Sequence, residues 1–300
     1  MFTGTDRAVF GATNAAGSTS NRPSPPDITG LSPANGMVLD GMGSGYFLDR
    51  GGSGLDPCPV TFTDDDVAEL YDLTNPWNET NQDKYFTDRV LAAGSVLDVG
   101  CGTGLLLHEA RRRGHTGRLA GIDPDVASLR RARRVEDVEW VKGSAADIAW
   151  RGEFELATMT SHAFQCLITD EEVRASLTAI RRALRDGGRF TFDTRHPQAK
   201  AWEQWVVGDS GDISFTGGRA LRMSYQASVR GDVVDLIEVT ALADGTVLRE
   251  DPGSLRFLNT EALNTFLAEA GFEVQEQYGD WERGPVTAES REIVTVACAR

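Results

Sequence analysis

The chain has 300 residues, 40% of them hydrophobic, enough to bury a large core as one or two domains. With 30 basic against 45 acidic residues the net charge is −15, which disfavours nucleic acid and anionic membranes as partners. Mean hydropathy is −0.29, no apolar run approaches the ~20 residues of a membrane span, and the start carries no basic-then-apolar signal region.

Four cysteines, Cys58, Cys101, Cys166 and Cys298, are scattered with no CxxC pair. They read as reduced thiols of a cytoplasmic protein with no zinc or other metal and no disulfide framework.

Residues 1–60 hold 11 of the 32 glycines and 6 of the 11 prolines, with sparse, aperiodic apolar positions. Such a composition buries too little surface to offset the entropy of ordering. It predicts a disordered or loosely ordered tail; the competing reading is a segment that orders over the active site. The folded unit is expected over 61–300.

"TFTDDDVAELYDLTNPW" predicts a short helix with Asp64 as N-cap, and "NQDKYFTDRVLAA" a second. Strand and helix then alternate. "SVLDVG" is a strand, "LLLHEARRR" a helix, "RLAGID" a strand, and "PDVASLRRARR" a helix with Pro124 in its first turn. "VEWVKG" and "FELATMT" are strands. Thr169 to Glu172 form a capping box that opens a helix with Val173, Leu177, Ile180 and Leu184 on one face. Gly187 and Gly188 are expected to close it, and "RFTFDT" is the fifth strand. Repeated βα units of this kind predict a mainly parallel sheet with helices on both faces.

From about 212 to 257 the pattern changes to period two, which predicts antiparallel strands with turns near Gly231 and Gly245. "NTEALNTFLAEAG" is a helix stopped by Gly271, and "FEVQEQYG" and "EIVTVACA" are closing strands.

"VLDVGCGTG" joins the first strand to its helix. Gly100, Gly102 and Gly104 keep the backbone thin and free to take positive φ, where a charged, nucleotide-like ligand meets a helix N-terminus. A dinucleotide loop needs a third glycine at the position of Leu105. The spacing is instead Gly-x-Gly-x-Gly, led by Asp98. "GIDPD" ends the second strand, so Asp123 is placed to accept from both hydroxyls of a ribose. "GSAADI" follows the third, so Asp147 is placed to accept from an adenine amino group. This order suits an adenosine ligand without a pyrophosphate.

With these three motifs on consecutive strands, residues from about 66 to 300 resemble the class I S-adenosylmethionine-dependent methyltransferases. "MTSHAFQCL", "DTRHPQAKAW" and "YGDWERGP" are similar to an actinobacterial group acting on small molecules. The resemblance implies a Rossmann-like, doubly wound α/β fold. Its mainly parallel seven-stranded sheet has an antiparallel last strand, and here an antiparallel β insertion follows the fifth strand. It implies S-adenosyl-L-methionine as cofactor. Gly100, Gly102 and Gly104 pass under its methionine end, Asp98 orients that loop, and Asp123 holds the ribose. Asp147, Ala146 and Ile148 flank the adenine. An aromatic of the preceding helix, Tyr71, sits near the sulfonium, where a cation–π contact is worth about 0.5–2 kcal/mol.

Two of the four histidines, His162 and His196, follow the fourth and fifth strands at the ligand-binding edge and are candidate general bases. For His162 the competing role is to shape the cofactor pocket through a backbone hydrogen bond. Arg195 is a candidate for binding an anionic substrate group. His108 and His115 read as structural. Residues 105–134 hold eight arginines against three acids, read as solvated helix ends. The expected activity is methyl transfer to a small-molecule acceptor. The alternatives are a protein that binds S-adenosylmethionine without transfer, and an NAD-dependent oxidoreductase.

Overall fold

The computed structural model describes residues 61–207 and 211–300. The expected tail, residues 1–60, lies outside them, as does Cys58; Cys101, Cys166 and Cys298 are free.

The first two helices, α1 (Asp64–Thr74) and α2 (Asn81–Ala92), start in the same way. The N-cap of α1 is Thr63 rather than Asp64. Its amide donates to Asp66 at 2.8 Å while its hydroxyl accepts from the Asp66 amide. Thr80 and Asp83 repeat this box on α2. Each cap contributes about 1 kcal/mol.

The alternating segment follows as β1 (Ser95–Val99), α3 (Leu105–Arg112), β2 (Arg118–Asp123), α4 (Val126–Ala132), β3 (Glu139–Lys142), β4 (Phe154–Met159), α5 (Asp170–Ala183) and β5 (Leu184–Arg195). Pro124 stands outside α4. Asp125 is the N-cap, its carboxylate accepting from Ala127 N at 2.9 Å, so Pro124 only sets the extended entry. The Thr169–Glu172 box opens α5 as expected.

Gly187 and Gly188 do not close α5. The helix ends at Ala183, where Gly152 N and Glu153 N donate to the carbonyls of Arg182 and Ala183. Leu184 already pairs with Phe154, and Arg189 is the next to pair, with Leu156. The glycines therefore belong to an irregular stretch of β5, where Gly187 takes φ +76°.

After α6 (Ala201–Val207) comes the insertion: β6 (Ile213–Phe215), β7 (Arg219–Arg230), β8 (Val233–Leu242) and β9 (Val247–Arg256), all antiparallel. The chain closes with α7 (Thr260–Glu269), β10 (Phe272–Tyr278) and β11 (Glu292–Ala299).

The seven-stranded sheet has the order β10-β11-β5-β4-β1-β2-β3. Strands β1 to β5 run parallel, and β11 is antiparallel to both neighbours. The order reverses between β1 and β4, the switch point where such sheets take ligands at their carboxyl edge. One face buries Leu97, Val99, Phe190 and Phe192 against α5 and α7. The other buries Val96 and Leu119 against Phe86 of α2 and Leu107 of α3.

In the insertion, alternate residues of β8 (Val234, Leu236, Glu238 and Thr240) are buried. Leu236 and Val234 pack with Trp205 of α6, and Leu221 and Met223 of β7 pack with Phe62 and Leu70 of α1. The second sheet thus rests on the helices that flank the carboxyl edge. Among the described residues no helix is long and apolar enough to cross a membrane.

Candidate functional site

The glycine loop leaves β1 and crosses the end of β2, where Gly100 N donates to Ile122 O at 2.8 Å. All three glycines have positive φ, at 68°, 53° and 84°, which side chains adopt only with strain. Gly104 is the N-cap of α3 and is closely packed; a Cβ there would lie 2.6 Å from the Trp140 ring. A Cβ on Gly102 would meet nothing within 4 Å. The loop is therefore tight beneath and open above at its middle glycine, the shape of a cradle.

Two buried acids stand beside it. Asp123 Oδ2 accepts from Gly102 N at 2.7 Å, and Oδ1 accepts from Asp125 N at 2.8 Å. Asp98 Oδ1 accepts from the Thr158 hydroxyl at 2.7 Å. Burial pushes both carboxyls up to about 7, and for Asp98 the neighbouring Asp123 adds to the rise. Buried anions of this kind call for donors or positive charge. The ribose hydroxyls, ammonium and sulfonium of S-adenosylmethionine supply both, so the residues present fit that cofactor.

Asp147 ends the short turn Ala145–Asp147. Its Oδ2 accepts from Ser144 N and Oγ, which hold its carboxyl below the usual range. Ala146 is exposed beside it, and Ile148 is buried in the core. Tyr71 lies half-buried on α1. That helix is tied to the glycine loop by Asp72, which accepts from Thr103 Oγ1 at 2.5 Å and from Arg131 Nε at 2.7 Å.

His162 follows β4 and is buried, with φ +62°. Its amide donates to Asp193 Oδ2 at 3.1 Å, and its Nε2 lies 2.8 Å from Glu292 Oε2 and 3.3 Å from Asp193 Oδ2. The next residue, Ala163, is 3.2 Å from where a Gly100 Cβ would stand, so the His162 turn abuts the glycine loop. Gln82 of α2 also donates to Asp193, at 3.3 Å.

Arg195 is buried with its guanidinium over the Trp205 ring, 4.8 Å from the centroid, and donates to Gln165 Oε1 at 3.3 Å. His196 Nδ1 accepts from Gln198 N at 3.2 Å, and its amide donates to Arg291 O. Burial lowers its basicity. His162, Arg195 and His196 therefore converge where β4, β5 and β11 meet, because Glu292 of β11 pairs with Arg195 of β5.

The other two histidines hold backbone carbonyls: His108 Nε2 that of Ala132 at 2.8 Å, and His115 Nε2 that of Ala93 at 2.7 Å. Of the arginine-rich helix ends, Arg112 and Arg113 pair with Glu109 of their own helix, while Arg130 and Arg131 reach Asp65 and Asp72 of α1.

Sequence reasoning missed Asp72, Thr158, Asp193, Glu292 and Glu238. Burial pushes the Glu238 carboxyl, on the inner face of the insertion, up to about 8. For Asp193 a signal was present, an acid at the ligand-binding end of the strand "RFTFDT".

The chain matches the family profile described as a methyltransferase domain over residues 96–188. It is 27% identical over 211 residues to the cypemycin N-terminal methyltransferase of a Streptomyces species, spanning 69% of this chain and 84% of that protein. The S-adenosylmethionine-bound structure of CalS10, an amino pentose methyltransferase from Micromonospora echinaspora, aligns with a TM-score of 0.56 and 25% identity. That alignment covers 74% of this chain and 93% of the other. The CcbJ methyltransferase of Streptomyces caelestis shares the fold, with a TM-score of 0.62 at 21% identity over 78% and 96% of the two chains.

Proposed function

Because this chain belongs to the class I S-adenosylmethionine-dependent methyltransferases and is an enzyme of that class, we propose that its residues divide the carboxyl edge into a cofactor half and an acceptor half. S-adenosylmethionine, when bound, supplies an activated methyl group on a sulfonium. On the cofactor half, Gly100, Gly102 and Gly104 give the methionine end room. Asp98 supports the loop from below through Thr158. Asp123 holds Gly102 N and accepts from the ribose hydroxyls, and Ala146, Asp147 and the backbone of Ile148 border the adenine. Tyr71, on the helix that Asp72 ties to the loop, borders the sulfonium.

The acceptor half lies over β4, β5 and β11, and the acceptor is a small molecule. His162 takes the acceptor's proton, and the Glu292 carboxylate, 2.8 Å from its Nε2, stabilises the imidazolium that forms. Arg195 and His196 are positioning residues. Arg195 holds Gln165 in the turn that carries His162, and His196 fixes the chain at Arg291, next to Glu292. The insertion over 213–256 covers the helices that flank this edge, and residues 61–300 form the catalytic unit. The observation that carries this reading is the contact between the His162 turn and the glycine loop at Ala163 and Gly100, which brings base and cofactor cradle side by side. Such alignment is most of what an already activated methyl donor requires of a protein.

The test has two arms. Calorimetry with S-adenosylhomocysteine and with NAD should show binding of the first alone. Incubation with methyl-labelled S-adenosylmethionine and a small-metabolite extract should move label into a small-molecule fraction. Label appearing only in macromolecules would overturn the small-molecule reading.

A further inference from the structure

Between the start of α2 and the β10–β11 connection the carboxyl edge holds a cavity of about 580 Å3, with Glu292 and Trp281 on its wall. Asp280, Glu282 and Glu289 also line it; among the described lining residues Arg291 is the one cation, and it donates to Gln204 Oε1 at 2.7 Å. The Trp281 indole is held edge-on by Tyr85 and Phe86, with centroids 5.4 and 5.8 Å away. Behind Glu292 lie the buried His162 and Asp193. The floor thus sets two carboxyl groups against one imidazole. A buried negative group of this kind favours an arriving cation, and an aromatic wall does the same.

We propose that this cavity binds the acceptor through a cationic nitrogen, so that the enzyme's substrates are aliphatic amines recognised in their ammonium form by Glu292, with Asp193 behind it. The inference rests on the division of the carboxyl edge given above and names the acceptor class for it. A charge-assisted N–H···O contact to Glu292 is roughly twice as strong as a neutral one, so an alcohol of the same shape gains much less. A divalent metal is the competing occupant, because the ligand atoms of His162, Asp193 and Glu292 all lie within 4.8 Å of one another. The geometry favours the organic cation. Asp193 Oδ2 already accepts from His162 N and Gln82 Nε2, and the Trp281 wall of the cavity offers a metal no ligand but suits an organic cation.

The probes are cyclohexylamine and cyclohexanol, one ring with and without the cationic nitrogen, titrated calorimetrically into the full chain saturated with S-adenosylhomocysteine. The amine should bind at least about tenfold more tightly than the alcohol. Glu292→Gln should abolish that preference while keeping the affinity for S-adenosylhomocysteine. Arg291→Gln, which removes the lining cation, should tighten the amine by about two- to tenfold and leave the alcohol unchanged; it serves also where Glu292→Gln fails to fold. Equal binding of the two rings, or a preference that survives Glu292→Gln, would overturn the proposal. So would Mn2+ binding that displaces the amine and is lost in Glu292→Gln. Failure of the wild type to bind S-adenosylhomocysteine would instead count against the cofactor assignment, whatever the amine does.

Discussion

Gly102 donates its backbone N–H to Asp123 Oδ2 across 2.7 Å, tying the middle of the glycine loop to the end of β2. One carboxylate thus does two things: it holds the loop open and stands where the ribose is assigned. Asp123→Ala removes both. Each hydrogen bond to a charged acceptor is worth about 1.5–3 kcal/mol, so the affinity for S-adenosylhomocysteine should fall at least about tenfold. Calorimetry on the variant checks this, and an unchanged affinity would remove Asp123 from the site.

The loop's glycines should separate under substitution. Gly104→Ala puts a Cβ 2.6 Å from the Trp140 ring and 3.1 Å from Ala132 Cβ, so the protein itself must give way. That variant should lose several degrees of melting temperature. Gly102→Ala has only the left-handed backbone cost, about 1–2 kcal/mol, since nothing lies within 4 Å of its Cβ. It should fold and yet bind S-adenosylhomocysteine at least about tenfold more weakly, because the methyl enters the space assigned to the ligand. Thermal melts beside calorimetry decide the matter; equal effects on both variants would contradict it.

The cradle assigned to the cofactor can be read from the sequence alone. Its glycines and acids sit in three short motifs, each beside the strand end that places it. The acceptor half cannot be read so. His162 meets Asp193 and Glu292 across 31 and 130 residues, so only the β5–β11 pairing assembles them. Asp193 and Glu292 stand near the ends of β5 and β11, with no local pattern that names a partner. The misread boundaries have similar causes. Gly187 and Gly188 resemble a helix stop, but the carbonyls at the end of α5 are met by Gly152 and Glu153, distant in sequence. Asp64 resembles an N-cap, but Thr63 has its capping-box partner three residues on, at Asp66.

Asp98 gives the stability a pH dependence of known sign. Burial raises its carboxyl to about 7, above the usual carboxylate value of 3.8. The folded state therefore holds the proton more tightly than the unfolded chain. This contribution is fully present below pH ~4 and is lost as pH rises through about 7. Asp98→Asn keeps an acceptor for the Thr158 hydroxyl and cannot ionise. The stability of the variant relative to wild type should therefore improve from pH 5 to pH 8, by a few kcal/mol. Denaturant unfolding of both ligand-free proteins at the two pH values tests it. A gap that does not change with pH would mean that Asp98 ionises normally.

His162 is the residue proposed to link the two halves. Its Nε2 lies 2.8 Å from Glu292, and its neighbour Ala163 packs against the glycine loop. Gln at this position offers a side-chain amide to the same carboxylate and leaves the backbone bond to Asp193 in place. The cofactor cradle should survive, so His162→Gln should bind S-adenosylhomocysteine within about twofold of wild type. If His162 takes the acceptor's proton, turnover with the labelled acceptor should fall by about 10²–10⁴-fold, and the acid limb of the rate–pH profile should disappear. If the imidazole serves only to hold Ala163 against Gly100, the outcome inverts. Affinity for S-adenosylhomocysteine drops, turnover at saturation changes little, and the pH profile keeps its form. Asp193→Asn provides the control, since it perturbs the same buried cluster without removing the imidazole. It should lower the rate while leaving an acid limb, shifted because a neighbouring negative charge has gone. Loss of the acid limb in both variants would assign it to the cluster as a coupled unit rather than to His162.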